Sequence, residues 1–232
     1  MQQLKWWLLK TNLYRWLVPL QWMHPKAKAF VHMCKWLQVQ RFETVDFYNA
    51  HTTHKDHYKL FEYLTLHRTT QPFDYFEFGV DDGESFRWWL QHLTHPASRF
   101  FGFDSFEGLP EDWGKLKKGS FSHNGNMPVI TDSRAQLIKG WFADTVPVFL
   151  TAYHPENRKL ILMDADLYSS TITVLKAMAP YLQKGDLIMF DEFFAPQHEF
   201  KAWIEFLKTH AEIRCRAIAA FGNYQYVGFE IL

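Results

Sequence analysis

The sequence predicts an α/β protein with a largely parallel β-sheet, helices on both of its faces and an antiparallel hairpin at the end. Three observations support this fold class. From residue 73 onward, short apolar runs alternate with helical stretches, which is typical of a parallel sheet. Acids directly follow several of these runs. The last two runs are separated only by Gly222 and Asn223, and a two-residue loop joins antiparallel strands.

Composition limits both the size and the partners of the protein. The 232 residues are 47% hydrophobic and 22% charged, which fits one globular domain with an appended segment. The formal net charge of zero argues against nucleic acid as the main partner. Cys34 and Cys215 lie far apart without metal-type spacing, which favours the cytoplasm. We expect no membrane span and no signal peptide, since Lys10 and Arg15 interrupt the first apolar stretch.

Residues 1–71 are predicted to form a helical amino-terminal extension. Its helices are expected at 3–18, at 25–37 and at 53–68. Residues 1–42 carry seven Lys and Arg and no acid, and tryptophans recur among them. The aromatic stripes favour packing on the sheet or on a second subunit, as in a homodimer. A peripheral membrane contact through 3–18 and a lid over the substrate are the alternatives.

Residues 72–232 are predicted to form the sheet domain. Its strands and helices follow from apolar runs and helical spacing. The strands are predicted at 73–78, 99–104, 135–139, 159–164, 186–190, 213–220 and 224–230. The helices are predicted at 84–94, 143–151, 169–182 and 197–209. The long loop 105–134 is a candidate for acceptor contacts, because long loops in compact domains are often functional.

Acids at the ends of two strands predict a nucleoside-containing cofactor. Glu77 and Asp104 close successive apolar strands, where open α/β sheets hold ribose hydroxyls. The turn that begins at Gly79 lacks the glycine spacing that binds pyrophosphate, and Asp81 and Asp82 within it would repel phosphate. This disfavours a nicotinamide dehydrogenase. S-adenosylmethionine (SAM) fits, since its sulfonium is positive and it has no phosphate.

Acids at two further strand ends predict a metal site. Asp164 follows one buried strand, and Asp191 and Glu192 follow the next. Carboxylates brought together at one sheet edge repel one another unless a cation joins them, and hard oxygen ligands suit Mg²⁺. The alternative is that some of these acids cap the following helices, for which Asp166 is the best placed.

Four segments resemble the macrocin-type sugar O-methyltransferases, a family of class I SAM-dependent methyltransferases. These segments are 102–113, 139–147, 163–171 and 190–192. The resemblance spans about residues 72–232. It implies a Rossmann-like sheet of seven strands in the order 3-2-1-4-5-7-6, with the last strand antiparallel. It also implies transfer of a methyl group from SAM to a hydroxyl of a sugar or polyol, assisted by Mg²⁺.

The resemblance also implies a role for individual residues. The amino-acid and sulfonium end of SAM would lie against Glu77, Gly79 and Ser85. The ribose and adenosine would lie against Asp104, Ser105 and Phe106, and the adenine against Gly140, Trp141 and Phe142. The metal ligands would be Asp164, Asp191 and Glu192. The family usually has two aspartates where this chain has Asp191 and Glu192, and the lysine base of the more distant catechol O-methyltransferase is replaced by Leu167.

The sequence leaves the catalytic base and two rival functions open. His123, in the long loop, is the candidate base that would take the proton from the acceptor hydroxyl, and Asp166 is the alternative. A methyltransferase without metal, acting on a glycan or a lipid-linked saccharide, is the second enzyme hypothesis. A non-catalytic adaptor that keeps the cofactor pocket is the third.

Overall fold

The computed structural model describes residues 2–22, 24–46 and 57–232. Within these ranges the α-helices are α1 Gln2–Lys10, α2 Pro25–Val39, α3 His57–Arg68, α4 Glu84–His92, α5 Phe142–Ala152, α6 Tyr168–Met178 and α7 Glu199–Thr209. The strands are β1 Thr44–Val45, β2 Phe73–Phe78, β3 Arg99–Asp104, β4 Ala135–Lys139, β5 Arg158–Met163, β6 Leu187–Phe190, β7 Cys215–Phe221 and β8 Tyr226–Ile231.

The eight strands of the described residues form one sheet in the order β1-β7-β8-β6-β5-β2-β3-β4. Strand β8 alone among them is antiparallel to its neighbours. The seven strands β2 to β8 follow the order that the sequence predicts, so the fold class is confirmed. The addition is β1, which pairs in parallel with β7 at the edge through Thr44 and Ala219. A two-residue strand carries too little pattern to be recognised in a sequence.

The first predicted helix, 3–18, is wrong as a single element. Helix α1 ends at Lys10, and Asn12 takes a left-handed conformation with φ 58°. Asparagine tolerates this conformation better than most residues and commonly ends helices. Two short 3-10 helices follow, Leu13–Leu17 and Pro19–Trp22. Of the predicted helix 53–68, residues 53–56 lie outside the described ranges.

Two predictions near turns also need correction. Helix α6 stops at Met178 instead of residue 182, because Pro180 in the 3-10 helix Ala179–Tyr181 cannot continue it. The loop of the final hairpin has four residues, 222–225, instead of two. The β7–β8 ladder closes with Phe221 opposite Tyr226, and the chain then turns through three residues of positive φ. The antiparallel direction itself is confirmed.

The core lies on both faces of the sheet. Side chains alternate along β2, so that Phe76 and Phe78 face one cluster while Phe73 and Tyr75 face the other. The first cluster receives α1, α2, α5, α6 and α7, and the second receives α3 and α4. Parallel sheets are buried on both faces in this way.

Two buried acids stand at the amino ends of the strands, and each has basic or polar partners. Asp74 accepts hydrogen bonds from Arg99 at 2.6 and 2.8 Å and from Tyr153 at 2.7 Å. The Asp186 carboxylate lies 3.0 Å from the ammonium of Lys159, and both side chains are fully buried. These contacts join neighbouring strands at the end of the sheet opposite the strand-end acids that the sequence singles out.

Candidate functional site

A cavity of about 490 Å³ lies at the carboxyl ends of β2 to β6. Its volume is in the usual range for small-ligand sites. The predicted site residues that line it are Gly79, Asp104, Ser105, Gly140, Trp141, Phe142, Asp164, Asp166, Asp191 and Glu192. The structure thus brings the two sets of strand-end acids to one cavity, with the acids after β5 and β6 facing the turns after β2, β3 and β4.

The turn after β2 passes directly over the end of β5. Gly79 has φ +103°, and a Cβ atom there would lie 1.9 Å from the backbone oxygen of Asp164. Its N–H donates to Phe103 at 3.0 Å. Only glycine allows this backbone approach, so the residue is required for the geometry of the cavity floor.

Asp104 ends β3 with both carboxylate oxygens held by backbone amides. Oδ2 accepts the N–H of Asp81 at 2.9 Å, and Oδ1 accepts the N–H of Phe106 at 2.7 Å. A carboxylate oxygen has a second lone pair available after one such bond. Asp104 is therefore fixed in position and can still accept two hydroxyl groups from a ligand in the cavity.

Three of the predicted cofactor residues do not line the cavity. Glu77 is only 1% exposed, and its carboxyl group accepts a hydrogen bond from the Tyr75 hydroxyl. Burial raises the pKa of Glu77 well above its usual range. Phe106 is 1% exposed within the second core cluster, and Ser85 is half-buried in the first turn of α4. These side chains support the cavity from behind.

The turn after β4 forms another wall of the cavity. Gly140 has φ +141°, and its N–H donates to the carbonyl of Asp104 at 2.9 Å. Trp141 then precedes α5, which begins at Phe142. The two aromatic rings next to the strand end give this wall a flat, apolar character suited to a heterocycle.

The carboxylates of Asp164, Asp166, Asp191 and Glu192 share the opposite wall. Burial raises the pKa of Asp164 well above its usual range, and the charges of Asp191 and Asp166 raise it further. Burial and Glu192 raise the pKa of Asp166 to about 7. Burial, followed by Glu192 and Asp166, raises the pKa of Asp191. Bound protons or a cation would relieve this mutual repulsion.

A fifth acid behind this wall was missed by the sequence reasoning. Glu199 begins α7, is fully buried, and accepts the backbone N–H of Glu192 at 2.9 Å through Oε2. Burial and the charge of Asp191 raise its pKa well above the usual range. Acids are common in the first turn of helices, so the sequence carries no signal that sets Glu199 apart.

The donor chemistry of the acidic wall suits Mg²⁺, because all of its groups are carboxylate oxygens. Their placement does not form a ligand set: among the described residues, no group of three or more His, Cys, Asp and Glu side chains is arranged to hold a metal ion. A cation is also present nearby, since Lys5 in α1 lies close enough to Glu192 for their charges to interact. Burial, the larger effect, lowers the pKa of Lys5, and the charge of Glu192 opposes this lowering.

The two candidate bases occupy different places. His123 does not line the cavity, and its Nε2 lies 2.5 Å from Oδ1 of Asp81. Asp166 lines the cavity in a left-handed conformation, with φ 56°. Asp166 does not cap α6, whose capping residue is Leu167 without a side-chain hydrogen bond. The capping alternative for Asp166 is therefore wrong.

The loop 105–134 covers one side of the cavity. Trp113 and Phe121 line it, and the Trp113 ring packs edge-on against His198 at 6.2 Å. Glu111 accepts a hydrogen bond from the Ser169 hydroxyl of α6 at 2.6 Å. Ser169 also lines the cavity. Hydroxyl groups on α6 were not singled out in the sequence, because serine and threonine are ordinary near helix starts.

Sheet order, the glycine turn after β2 and the acid that ends β3 together define the class of this protein as a Rossmann-like SAM methyltransferase fold. A calicheamicin methyltransferase structure matches with a TM-score of 0.54 at 20% identity, over 95% of this chain and 91% of that one. An O-methyltransferase from Bacillus cereus in complex with S-adenosylhomocysteine (SAH) matches with a TM-score of 0.51 at 16% identity, over 79% and 82% of the two chains.

Residues 65–214, well over half of the chain, match the family described as Macrocin-O-methyltransferase (TylF), and the chain belongs to this family. The resemblance predicted from the sequence is therefore confirmed. A curated relative from Streptomyces olivaceus is 30% identical over 143 residues. It is 8-demethyl-8-(2,3-dimethoxy-α-L-rhamnosyl)-tetracenomycin-C 4′-O-methyltransferase. The match spans 53% of this chain and 53% of that protein, so the chain covers about half the length of this relative.

Proposed function

We propose that the protein is a SAM-dependent O-methyltransferase that methylates a hydroxyl of a sugar or polyol. The observation that carries the proposal is the single cavity in which Asp104 lies across from the acidic wall of Asp164, Asp166 and Asp191. Membership of the macrocin O-methyltransferase family supports it. The Streptomyces relative is a methyltransferase of a rhamnosyl-bearing tetracenomycin, which supports a sugar-like acceptor.

In this proposal residues 72–232 form the methyltransferase domain and 1–71 its helical extension. SAM would lie across the ends of β2, β3 and β4. Its amino-acid end would be near Gly79, its ribose on Asp104, and its adenine between Ser105, Gly140, Trp141 and Phe142. Glu77, Ser85 and Phe106 would support these ends without lining the cavity. The fixed Asp104 carboxylate and the absence of a phosphate-binding glycine loop support this orientation.

The chain's own residues supply orientation and proton transfer. Bound SAM supplies a methyl group on a positively charged sulfur. The loop 105–134 and α6 would hold the acceptor so that its oxygen approaches the methyl carbon in line, which lowers the barrier. As the oxygen–carbon bond forms and the carbon–sulfur bond breaks, the hydroxyl proton would pass to Asp166.

Asp166 is the preferred base because it lines the cavity and its pKa is raised to about 7, near the working range of a general base. His123 is the second candidate. His123 itself does not line the cavity, although its Nε2 lies 2.5 Å from Asp81, which does, so it would need to rotate toward the acceptor. A role for His123 as the base therefore depends on rotation of its side chain into the cavity.

We propose that Mg²⁺ assists the reaction, held by Asp164, Asp191 and Glu192. The raised pKa values of Asp164 and Asp191 and the oxygen-only donor set support a cation at this wall. Bound Mg²⁺ supplies positive charge that makes a neighbouring hydroxyl more acidic. The side chains would have to shift on binding, because they do not form a ligand group as placed.

The second candidate function, methylation of a glycan or lipid-linked saccharide without a metal, has its own support. The described residues contain no preformed metal site, and the charge of Lys5 already acts on Glu192. Cys34 and Cys215 are both free thiols, which supports a cytoplasmic location for either enzyme. Among the described helices, none combines the length and the apolar character needed to cross a membrane.

The decisive experiment is thermal unfolding with SAH, Mg²⁺ and EDTA in turn. SAH at a hundred times its dissociation constant should stabilise the protein by about 2.7 kcal/mol. Asp104→Ala should abolish that shift. An additional Mg²⁺-dependent shift, together with loss of methyl transfer to sugar acceptors in EDTA, supports the metal-assisted reaction. No shift with SAH contradicts the proposed function, whereas a shift without turnover of any acceptor favours the non-catalytic adaptor that keeps the cofactor pocket.

A further inference from the structure

The outer side of the amino-terminal helices carries an unusual set of exposed apolar side chains. They are Leu4, Trp7, Trp16, Leu20 and Trp22, and we call them, with the cations beside them, the aromatic-basic surface. Trp16 is 79% exposed and Trp22 is 83% exposed. The neighbouring exposed cations are Lys10, Arg15, Lys26, Lys28 and Lys35. Exposed apolar groups in this number mark a binding surface.

The segment that carries this surface is anchored to the domain on its other side. Tyr14, Val31 and Cys34 are buried in the first core cluster. Trp36 packs against Phe193 with ring centroids 5.8 Å apart, and further rings join it there. Because the inner face is already occupied, folding of the segment onto its own domain does not account for the outer tryptophans.

Charge identifies the kind of partner. Residues 1–42 contain seven Lys and Arg and no acid, whereas residues 43–232 contain 18 Lys and Arg against 25 Asp and Glu. The partner must therefore be anionic and must also accept apolar side chains. An anionic lipid surface has both properties, since tryptophan favours the headgroup region and lysine and arginine attract acidic headgroups.

We propose that the aromatic-basic surface docks the protein on the surface of an anionic lipid bilayer. The tryptophans and leucines would enter the headgroup region while the cations contact acidic headgroups, as in interfacial helices. Lys5, on the same helix as Trp7, lies close enough to Glu192 for their charges to interact. The bilayer would thus lie beside the acidic wall of the cavity, and, resting on the proposed function, an acceptor carried on a lipid could reach it.

The test is flotation of the full chain with vesicles of phosphatidylcholine, with and without phosphatidylglycerol. The protein should float with the anionic vesicles, and added salt should weaken the binding. Replacing two large apolar groups by small polar ones in Trp16→Ser/Trp22→Ser should reduce binding about tenfold or more. The charge reversals Arg15→Glu/Lys26→Glu should reduce binding to anionic vesicles and its salt dependence.

A matched control separates docking from general hydrophobicity. Leu66 and Val148 are 76% and 69% exposed on α3 and α5, and Leu66→Ser/Val148→Ser should bind vesicles like the wild type. Equal flotation of the tryptophan variant, or no flotation of the wild-type protein, overturns the proposal. A dimer in sedimentation velocity that Trp16→Ser/Trp22→Ser dissociates also overturns it, because a second copy would then cover the surface. None of these readouts depends on SAH binding, so the proposal and the methyltransferase function fail separately.

Discussion

The acids at the two ends of the sheet have different partners. At the amino ends of the strands, burial alone would raise the pKa of Asp74, but hydrogen bonds from Arg99 and Tyr153 hold it below its usual value. At the carboxyl ends, burial raises the pKa of Asp164 and of Asp191, and neighbouring acids raise both further. Asp74 is thus stabilised as an anion, whereas Asp164 and Asp191 are destabilised as anions.

This difference distinguishes structural acids from functional ones. A buried carboxylate with a guanidinium or ammonium partner joins two strands and needs nothing more. Carboxylates that share a cavity without such partners make the folded state less favourable, and such groups are typical of binding and catalytic sites. Strand β6 carries one acid of each kind. Asp186 precedes it and has the ammonium of Lys159 as a partner, although burial still raises its pKa, and Asp191 follows it.

The largest expected effect compares these two acids of β6. Asp186→Asn should lower the free energy of unfolding by about 3 kcal/mol or more, because it leaves the buried ammonium of Lys159 uncompensated. Asp191→Asn should leave it within about 1 kcal/mol of wild type in EDTA, because it removes a repelled charge. Urea unfolding measures both values.

Activity gives the opposite ranking for the same pair. The rate of methyl transfer per folded molecule should be strongly reduced in Asp191→Asn. In Asp186→Asn the same rate should stay close to that of the wild type. If Asp191→Asn proves as destabilising as Asp186→Asn, the charge of Asp191 stabilises the fold as much as that of Asp186, and the contrast between the two ends of the sheet is wrong.

Asp104 lies at the carboxyl end of its strand, but both of its carboxylate oxygens already accept backbone hydrogen bonds. A variant of Asp104 tests whether such an acid also binds the cofactor. Asp104→Asn should weaken SAH binding about 100-fold, because two charge-assisted hydrogen bonds to the ribose are weakened. Titration calorimetry with SAH measures the change. Asp112→Asn removes an equal charge from the exposed ion pair with Lys117 and should bind SAH normally. Normal binding by Asp104→Asn would assign the ribose to another residue.

The stability of the folded protein should depend on pH through the carboxyl groups of the acidic wall. A carboxyl group with a raised folded pKa favours the folded state most below its unfolded pKa, and this contribution is lost as pH rises through the folded value. For Asp166 that range extends from about 4 to about 7. Metal-free protein should therefore lose about 5 °C in melting temperature between pH 5 and pH 8, relative to Asp166→Asn.

The variant comparison is needed because other groups titrate in the same range. Burial lowers the pKa of His198, and a lowered histidine pKa adds stability as pH rises through its unfolded value. Asp74, with its lowered pKa, loses its contribution only as pH falls below its unfolded value. Parallel curves for wild type and Asp166→Asn would show that Asp166 is not the source of the slope.

The smallest expected effect concerns the length of one side chain. Glu192 stands where the resembling enzymes usually have aspartate, and its backbone N–H is held by Glu199 whatever its side chain. Glu192→Asp should keep methyl transfer and its Mg²⁺ dependence within about threefold of wild type, whereas Glu192→Gln should lose about tenfold. Steady-state rates across a Mg²⁺ series measure this. A loss in Glu192→Asp without a loss in Glu192→Gln would mean that length, and not charge, is what the site requires.

The sequence predicted the strands β2 to β8 because each is an apolar run bounded by turn residues, and their order in the sheet because four segments resemble a known family. It failed where local pattern is weak or ambiguous. Thr44 and Val45 are too few to show a period, and the break at Asn12 depends on one left-handed residue inside an apolar helical stretch. At the candidate site, it found the acids at strand ends but missed Glu199 behind the acidic wall, whose importance depends on where α7 begins relative to β6.

By itself, the sequence determined which residues end the strands and that acids and glycines stand there, since these follow from apolar runs and turn chemistry. Only the tertiary structure decided which acids are compensated. Asp74 meets Arg99 and Asp186 meets Lys159 because β2 pairs with β3 and β5 with β6 in one particular register. At the opposite ends of the same strands, that pairing brings Asp164, Asp166 and Asp191 together. Among the described residues, no lysine or arginine lines the cavity beside them.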